Sequence, residues 1–381
     1  MRDSFHLSFW ERQSYFENVD LLIIGGGIVG LNAALAVKEL DRDLKVLVVD
    51  RGAFLPYGAS TRNAGFACFG SMTELLDDLK RMDHTSVFAL VEKRYAGLCR
   101  LRELLGDDEI GYEPLGGYEI FTSAEEADFR LCDDSIDQFN RELKRITGVD
   151  QVYSVCDERI GEFGFNKIAH LILNRGEGQI DTGKMMKALL NKVRAAGVEV
   201  LTGLEILKWE REGDFMRVNT ANGFDFKAGR ILVTTNAFAR QLLPGEMVVP
   251  GRAQVLVTSP LKDLKVKGAF HYDKGYYYFR NVGSRVLFGG GRNLDFTTEE
   301  TTRFGLTSLV QERLEVLLKE VILPDTPFEI EQRWSGIMGL GPVKTAIVRK
   351  VQDHVYCAVR MGGMGVAIGS MIGREAAEMI V

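Results

Sequence analysis

Cysteine is sparse in this chain of 381 residues: Cys68, Cys99, Cys132, Cys156 and Cys357 are scattered and odd in number. No two stand at metal or redox spacing, which excludes a disulfide-stapled fold and fits reduced thiols in a cytoplasmic protein. The histidines His6, His84, His170, His271 and His354 are equally isolated. No ligand set emerges from them, and no metal is expected. A G-x-S-x-G elbow is missing, because Gly58-Ala59-Ser60-Thr61 runs on into Arg62. No G-x-x-x-x-G-K-[ST] occurs either. Positive charge is in deficit, with a formal net charge of −6. That balance argues against a broad nucleic-acid surface. Long apolar runs are lacking too. The uncharged stretch 21–37 is too short to span comfortably, carries four glycines and Asn32, and follows Glu17 and Asp20 rather than a basic cluster. It reads as neither a signal peptide nor a membrane span.

What is present begins at 19–50. Residues 19–24 form an apolar run of strand type, and Gly25-Gly26-Gly27-Ile28-Val29-Gly30 supplies G-x-G-x-x-G. Val29, Ala33, Val37 and Leu40 then recur at helical spacing. A second strand, 45–49, ends on Asp50. Gly25 permits a tight turn, Gly27 lets a pyrophosphate approach the backbone, and Gly30 lets the helix lie close on the strand. First-turn N–H groups and the helix dipole face the phosphates. Asp50 can accept hydrogen bonds from an adenosine ribose, and it repels a 2′-phosphate. This element indicates a dinucleotide and leaves FAD and NAD both open.

Further along, 1–18 reads as an arm packed on the body. The loop 58–66 is dense in small and hydrogen-bonding residues, which suits backbone lying against a flat ligand with Ser60 and Asn63 as donors. Residues 74–105 and 124–146 read as helices, and 118–122 as a strand. Asp181 is an N-cap for a helix whose inner face carries Met185, Leu189, Leu190 and Val193, with Gly197 as the stop. Strands at 198–201 and 204–210, a hairpin 215–220/224–227 around Ala221-Asn222-Gly223, and a buried strand 230–235 suggest a β-meander on the nucleotide-binding sheet. Segments 250–259, 275–280 and 285–289 read as a second, antiparallel sheet, and 297–321 as helical. Strand 355–359 runs into Met361-Gly362-Gly363-Met364-Gly365-Val366 and a final helix, a second unit able to point N–H groups at an electron-rich ligand. Alternation puts Tyr276 and Tyr278 on one strand face and Tyr277 on the other, with either face free to be inward.

The ordered set IIGGGIVG (23–30), VVDRG (48–52), GASTRNAGF (58–66), GQIDTGKMMKALL (178–190), ILVTTNAFA (231–239), the strand tyrosines with GGG at 289–291, RWSGIMG (333–339) and MGGMGVAIG (361–369) resembles the D-amino-acid-oxidase superfamily of flavoproteins. That group includes glycine oxidase, sarcosine oxidase and γ-glutamylputrescine oxidase, and the resemblance is to its amine-oxidase side. It implies an α/β fold: a Rossmann-type FAD-binding domain with parallel sheet and β-meander, interleaved with an α+β substrate domain on an antiparallel sheet. The implied boundaries are 1–85, 155–245 and 325–381 for FAD, and 86–154 and 246–324 for substrate.

The same resemblance implies non-covalent FAD held by Gly25, Gly27, Ile28, Val29, Gly30, Asp50 and Arg51. Ser60, Arg62, Asn63, Ala64, Gly65 and Phe66 would run along the flavin, and Ile206 would meet adenine through its backbone. Met361, Gly362, Gly363, Met364, Gly365 and Val366 would lie near the flavin pyrimidine. The implied reaction is oxidation of the C–N bond of a small amine or N-substituted amino acid by hydride transfer, with hydrolysis of the imine and oxygen or another acceptor taking the electrons. The chain departs from the family pattern at several places. Met338 stands where glycine oxidase has a carboxylate-binding arginine, and Ala367 where sarcosine oxidase has a lysine. Gly336 stands near the place of the covalent flavin cysteine, and Leu287 at that of the oxygen-activating lysine. Substrate-pocket candidates are therefore Tyr276, Tyr278, Trp334, Arg292 and Arg360. With the usual carboxylate anchors missing, an amine or N-substituted amino acid is favoured over a plain amino acid, unless Arg292 or Arg360 points into the pocket. The competing readings are an NAD-dependent dehydrogenase and a non-catalytic flavin-binding protein on the same scaffold.

Overall fold

The strand Val19–Ile24 is buried at every position but Asp20. A strand apolar on both faces belongs in the middle of a parallel sheet covered on both sides. The computed structural model, which describes residues 6–381, puts it there. Val19–Ile24 pairs in parallel with Val46–Asp50 on one side and with Asp225–Val233 on the other. The sheet runs Ile347–Gln352, Val355–Val359, Asp225–Val233, Val19–Ile24, Val46–Asp50, Glu199–Thr202, and the meander Ile206–Glu212/Phe215–Thr220 branches from Asp225–Val233. The separate strands expected at 224–227 and 230–235 are one strand. Its first half is antiparallel to the meander and its second half parallel to Val19–Ile24, with Ala228 paired on both sides. Phe16 fixes the N-terminal arm by packing 5.0 Å from Phe224 and 5.1 Å from Phe226, ring centre to ring centre. Residues 1–5 of the expected arm lie outside the described residues.

Helices Ile28–Leu40 and Gly365–Ile380 pack together closely. A Cβ on Gly369 would lie 2.6 Å from Ile28 Cγ2, and one on Gly373 2.7 Å from the Ala33 nitrogen. Helices His84–Leu105 and Thr182–Ala195 join the same core. Each fully buried Leu or Ile in it, Leu31 and Ile23 among them, contributes about 1.5–3 kcal/mol. On Thr182–Ala195 the inner face is Met185, Met186, Leu189 and Val193, with Leu190 only partly buried.

The helix expected over 74–105 is two, Met72–Leu79 and His84–Leu105; the Asp83 side chain accepts from the Ser86 N–H at 2.9 Å and starts the second. The continuous helix expected over 297–321 is also broken. Phe296–Glu299 stops where Glu299 is buried against Arg252, and Ser308–Leu317 starts afresh.

The second sheet runs Ile330–Leu340, Val249–Thr258, Arg285–Gly290, Tyr277–Val282, Ala269–Tyr272, Gly117–Thr122, Ile168–Asn174, Tyr153–Val155. It is antiparallel except between Ala269–Tyr272 and Gly117–Thr122, which run parallel. Ile168–Asn174 and Ile330–Leu340 belong to this sheet, so sheet membership does not follow the boundaries at 155 and 325. Ser308–Leu317 covers one face through Val310, Leu314 and Leu317. The opposite face fronts a cavity. Among the described residues no helix is long and apolar enough to cross a membrane.

Candidate active site

The glycine turn is shaped by contacts no side chain would survive. Gly25 has φ +116°, and a Cβ on Gly30 would lie 2.0 Å from the Gly25 carbonyl oxygen. The Thr234 hydroxyl seals the turn by donating to that carbonyl at 2.8 Å. A Cβ on Gly27 would meet Ser60 Oγ at 2.7 Å. Ser60 Oγ instead accepts from the Ile28 N–H at 2.9 Å. The remaining first-turn N–H groups of Ile28–Leu40 have no acceptor within the helix. The Asp50 carboxylate accepts from the N–H groups of Gly26 (2.9 Å), Gly52 (2.8 Å) and Tyr57 (2.9 Å). Three of a carboxylate's roughly four acceptor positions are then used, leaving room for one hydroxyl.

A cavity of about 840 Å³ opens in front of this turn. Gly25, Gly27, Ile28, Val29, Asp50 and Arg51 line one end of it, with Ile206 on the same wall. Gly30 lies behind the lining, against Gly25. The loop 58–66 contributes Ser60, Arg62, Asn63, Ala64, Gly65 and Phe66, and the C-terminal loop contributes Met361 through Val366. The two glycine-rich loops therefore face one space. Met364 caps Gly365–Ile380, so a second set of unpaired first-turn N–H groups reaches the cavity. A dinucleotide fits this lining: two helix N-termini supply donors, and the glycines leave room for close approach.

Some expected donors serve the protein instead. Asn63 donates to the Ser60 carbonyl at 2.9 Å, and its Oδ1 accepts from the Gly65 N–H and the Thr182 hydroxyl, both at 2.9 Å. The Asn63 amide thus holds the loop rather than serving a ligand, whereas Ser60, which accepts from Ile28, keeps its own O–H as a donor. Arg62 donates to the Ser335 carbonyl at 3.2 Å and lies 4.2 Å from the centre of the Phe304 ring. Trp334 is not in the cavity wall: its indole N–H donates to the Arg62 carbonyl at 3.0 Å, and its ring packs with Ala64, Val255 and Leu287. The wall from that strand is Gly336, Met338 and Leu340. Arg360 is likewise outside it. Its φ of +67° breaks strand alternation, and its guanidinium donates to the carbonyls of Thr345 (3.0 Å) and Met247 (3.3 Å).

Tyr276 and Tyr278 face the cavity, while Tyr277 packs into the core behind. Burial pushes the Tyr278 phenol up to about 12. Arg292 lines the cavity beside Tyr276. Among the described residues no hydrogen bond or ion pair holds its guanidinium, which lies 4.7 Å from the centre of the Phe296 ring. Burial lowers its pKa, opposed by Tyr276, Glu299 and Glu300.

Several residues escaped the sequence reading. Helix Met72–Leu79 contributes Thr73, Glu74, Asp77 and Asp78 to the wall. Lys344 bridges Glu74 (2.9 Å) and Asp78 (3.0 Å), and Arg94 pairs with Glu74 at 3.2 Å. Desolvation raises the Glu74 pKa, but Lys344 and Arg94 overcome it and hold the group at about 2. Asn236 accepts at one oxygen from the N–H groups of Arg360 and Met361, both at 3.1 Å, and so pins the C-terminal loop. His271, isolated in sequence, lines the cavity, and its ligand atoms come within 4.8 Å of Cys68 and Glu177. Asn236 sits inside the TTNAFA run, so the motif marked its place; nothing local marked Lys344 or His271.

A family model described as FAD dependent oxidoreductase, DAO, matches residues 20–379. A curated relative, the probable oxidoreductase OrdL of Rhizobium meliloti (strain 1021), is 25% identical over 380 residues, covering 94% of this chain and 82% of its own length. Glycine oxidase from Geobacillus kaustophilus superposes with a TM-score of 0.74 at 18% identity, covering 95% of this chain and 94% of that one. L-proline dehydrogenase from P. horikoshii gives 0.73 at 18% identity, with 96% and 94% covered. At these identities the structural likeness speaks for the fold. The family match spans both glycine-rich units and the sheet between them: the chain belongs to the DAO family of FAD-dependent oxidoreductases.

Proposed function

We propose that the protein oxidises the C–N bond of a small amine that carries a carboxylate, an amino acid or its N-substituted form. The observation that carries this is Arg292, a cavity-lining guanidinium beside Tyr276 with no anion paired to it among the described residues. Its place in the lining supports widening the expected preference for an amine or N-substituted amino acid to include a plain amino acid. A planar fork of donors in a partly desolvated wall is suited to bidentate capture of a carboxylate.

Bound in this cavity without a covalent link, FAD supplies a two-electron hydride acceptor. Asp50 holds the ribose, and the first turn of Ile28–Leu40 receives the pyrophosphate. The backbone of 60–66 and 361–366 borders the flavin. The protein then has to anchor the carboxylate, present the substrate C–H and keep the amine unprotonated. Arg292 does the first, and Tyr276 and Tyr278 border the substrate. Catalysis is mainly orientation in a partly desolvated site.

The test is anaerobic. Purified holoenzyme is mixed with glycine, sarcosine, L-proline, D-alanine and putrescine, and flavin bleaching is followed. At least one carboxylate-bearing amine bleaches it and putrescine does not. Bleaching by putrescine alone, or by none, overturns the proposal. Readmitting air tells whether oxygen accepts the electrons, and flavin released by acid precipitation establishes non-covalent attachment.

A further inference from the structure

Beside the cavity wall lies a second, small space of about 10 Å³. That is near the size of one water-sized sphere. Glu119, Glu177 and His271 line it, with Ser71, Tyr153 and Asn174. His271 is the residue the two spaces share. Its place follows from register. Tyr278, His271 and Glu119 are direct partners across three adjacent strands. Side chains at paired positions share a sheet face. A polar row thus runs from the large cavity at Tyr278, through His271, to the buried carboxylate of Glu119.

The row is incomplete by one hydrogen-bonding partner. His271 Nε2 is buried with no partner among the described residues. Ligand atoms of His271 and Glu177 lie within 4.8 Å, a gap that one bridging water spans with two ordinary hydrogen bonds of about 2.8 Å. The carboxylates are held from behind: Glu177 accepts from the N–H groups of Phe69 (2.8 Å) and Gly70 (2.9 Å), and Glu119 accepts from the Thr73 N–H (3.2 Å) and hydroxyl. Facing the row from neighbouring elements are Cys68, Glu74 with its partner Arg94, Cys132, Tyr153 and Tyr278.

Resting on the amine-oxidation reading above, we infer that His271, one bridging water and the Glu177–Glu119 carboxylates form the exit route for the proton a substrate ammonium must lose before hydride transfer. In that step the substrate N–H bond breaks and its proton passes to one ring nitrogen of His271. The other ring nitrogen releases its proton through the water to Glu177. The ring swaps tautomers and ends neutral, the amine is neutral, and one carboxylate becomes a carboxylic acid; no electrons move. Burial supports the assignment, because desolvation keeps His271 neutral, with its pKa lowered to about 4, and raises Glu119 and Glu177 to about 7 each. A neutral carrier beside acceptors that titrate near neutrality suits a relay.

The experiment follows flavin reduction in the full holoenzyme against pH, with whichever of glycine, sarcosine, L-proline and D-alanine bleaches it fastest. In the unaltered protein the rate rises with pH through an inflection near 7, as the acceptor loses its proton. Glu177→Gln and His271→Asn remove that inflection, leave the rate following the amine's own ionisation at higher pH, and slow reduction at neutral pH by roughly a hundredfold. FAD affinity and thermal midpoint serve as controls. Glu119→Gln is the second variant should Glu177→Gln fail to fold, and it shifts the inflection. Infrared difference spectra between about pH 6 and about pH 8 show a buried carboxylic acid titrating, a band diminished in either glutamine variant. An unchanged pH profile in His271→Asn overturns the route. So does a stoichiometric divalent metal lost in that variant, since a coordinated imidazole cannot carry the proton. If no compound bleaches the flavin, the amine reading itself falls and takes the route with it.

Discussion

The two ends of the large cavity are built from different material. At the end built on the glycine turns much of the wall is main chain, presented by two helix starts and by glycines packed against neighbouring backbone, with Asp50 and Arg51 beside them. Elsewhere the wall is side chains brought from distant segments: Glu74 and Asp78 from one helix, His271, Tyr276 and Tyr278 from the second sheet, Arg292 beyond it, and Lys344 from a loop. Backbone recognition tolerates almost no added atom. Side-chain recognition can be rewritten one residue at a time without disturbing the sheet. The end built on the glycine turns is therefore rigidly prescribed, and the other end is open to change residue by residue.

Substitutions can break that contrast. Gly30→Ala has the largest effect, since the added carbon would lie 2.0 Å from the Gly25 carbonyl oxygen. A loss on the order of 3 kcal/mol is expected, read as protein purified without visible flavin absorbance and with a lowered melting temperature. Arg292→Met comes next. It leaves flavin content intact and raises KM for carboxylate substrates by about 10- to 100-fold, the worth of charge-assisted hydrogen bonds. Steady-state kinetics with sarcosine or L-proline check it, and an unchanged KM would return the substrate to the simple amines.

Lys344→Met is smaller. Glu74 is held at about 2 in the folded protein, below its ordinary value. Its contribution is thus present at neutral pH and lost as pH falls from the ordinary carboxylate range toward 2. Removing Lys344 costs about 1–2 kcal/mol near pH 7, discounted because the lysine is partly exposed, and the difference from the unaltered protein shrinks in acid. Urea midpoints at several pH values check the sign. Trp334→Phe has the least effect. It deletes the indole bond to the Arg62 carbonyl, worth about 1 kcal/mol, and a flavin titration should show about fivefold weaker binding.

What could be read from the sequence follows the same divide. The turn at 25–30, Asp50 and the 361–366 loop depend on neighbours within a few residues, so local spacing disclosed them. Tyr276 and Tyr278 followed from strand alternation, though only the packed sheet says that Tyr277 faces the core. Arg360 lies outside the cavity because its left-handed backbone at the strand end sends the guanidinium to the carbonyls of Thr345 and Met247, which spacing alone does not disclose. Trp334 lies on the strand Ile330–Leu340, two residues before Gly336, the first of its positions in the cavity wall. His271 looked inert as a lone histidine; its partners come from positions 68, 119 and 177, and only sheet register joins them.

Gly25 and Met361 stand 336 positions apart in the chain, yet both line the same cavity. Closing so long a loop is entropically costly and slow, and a cofactor that binds only the closed form shifts the balance toward it. Riboflavin supply should therefore govern how much of this protein accumulates in a cell, with starved cultures yielding less polypeptide as well as less colour.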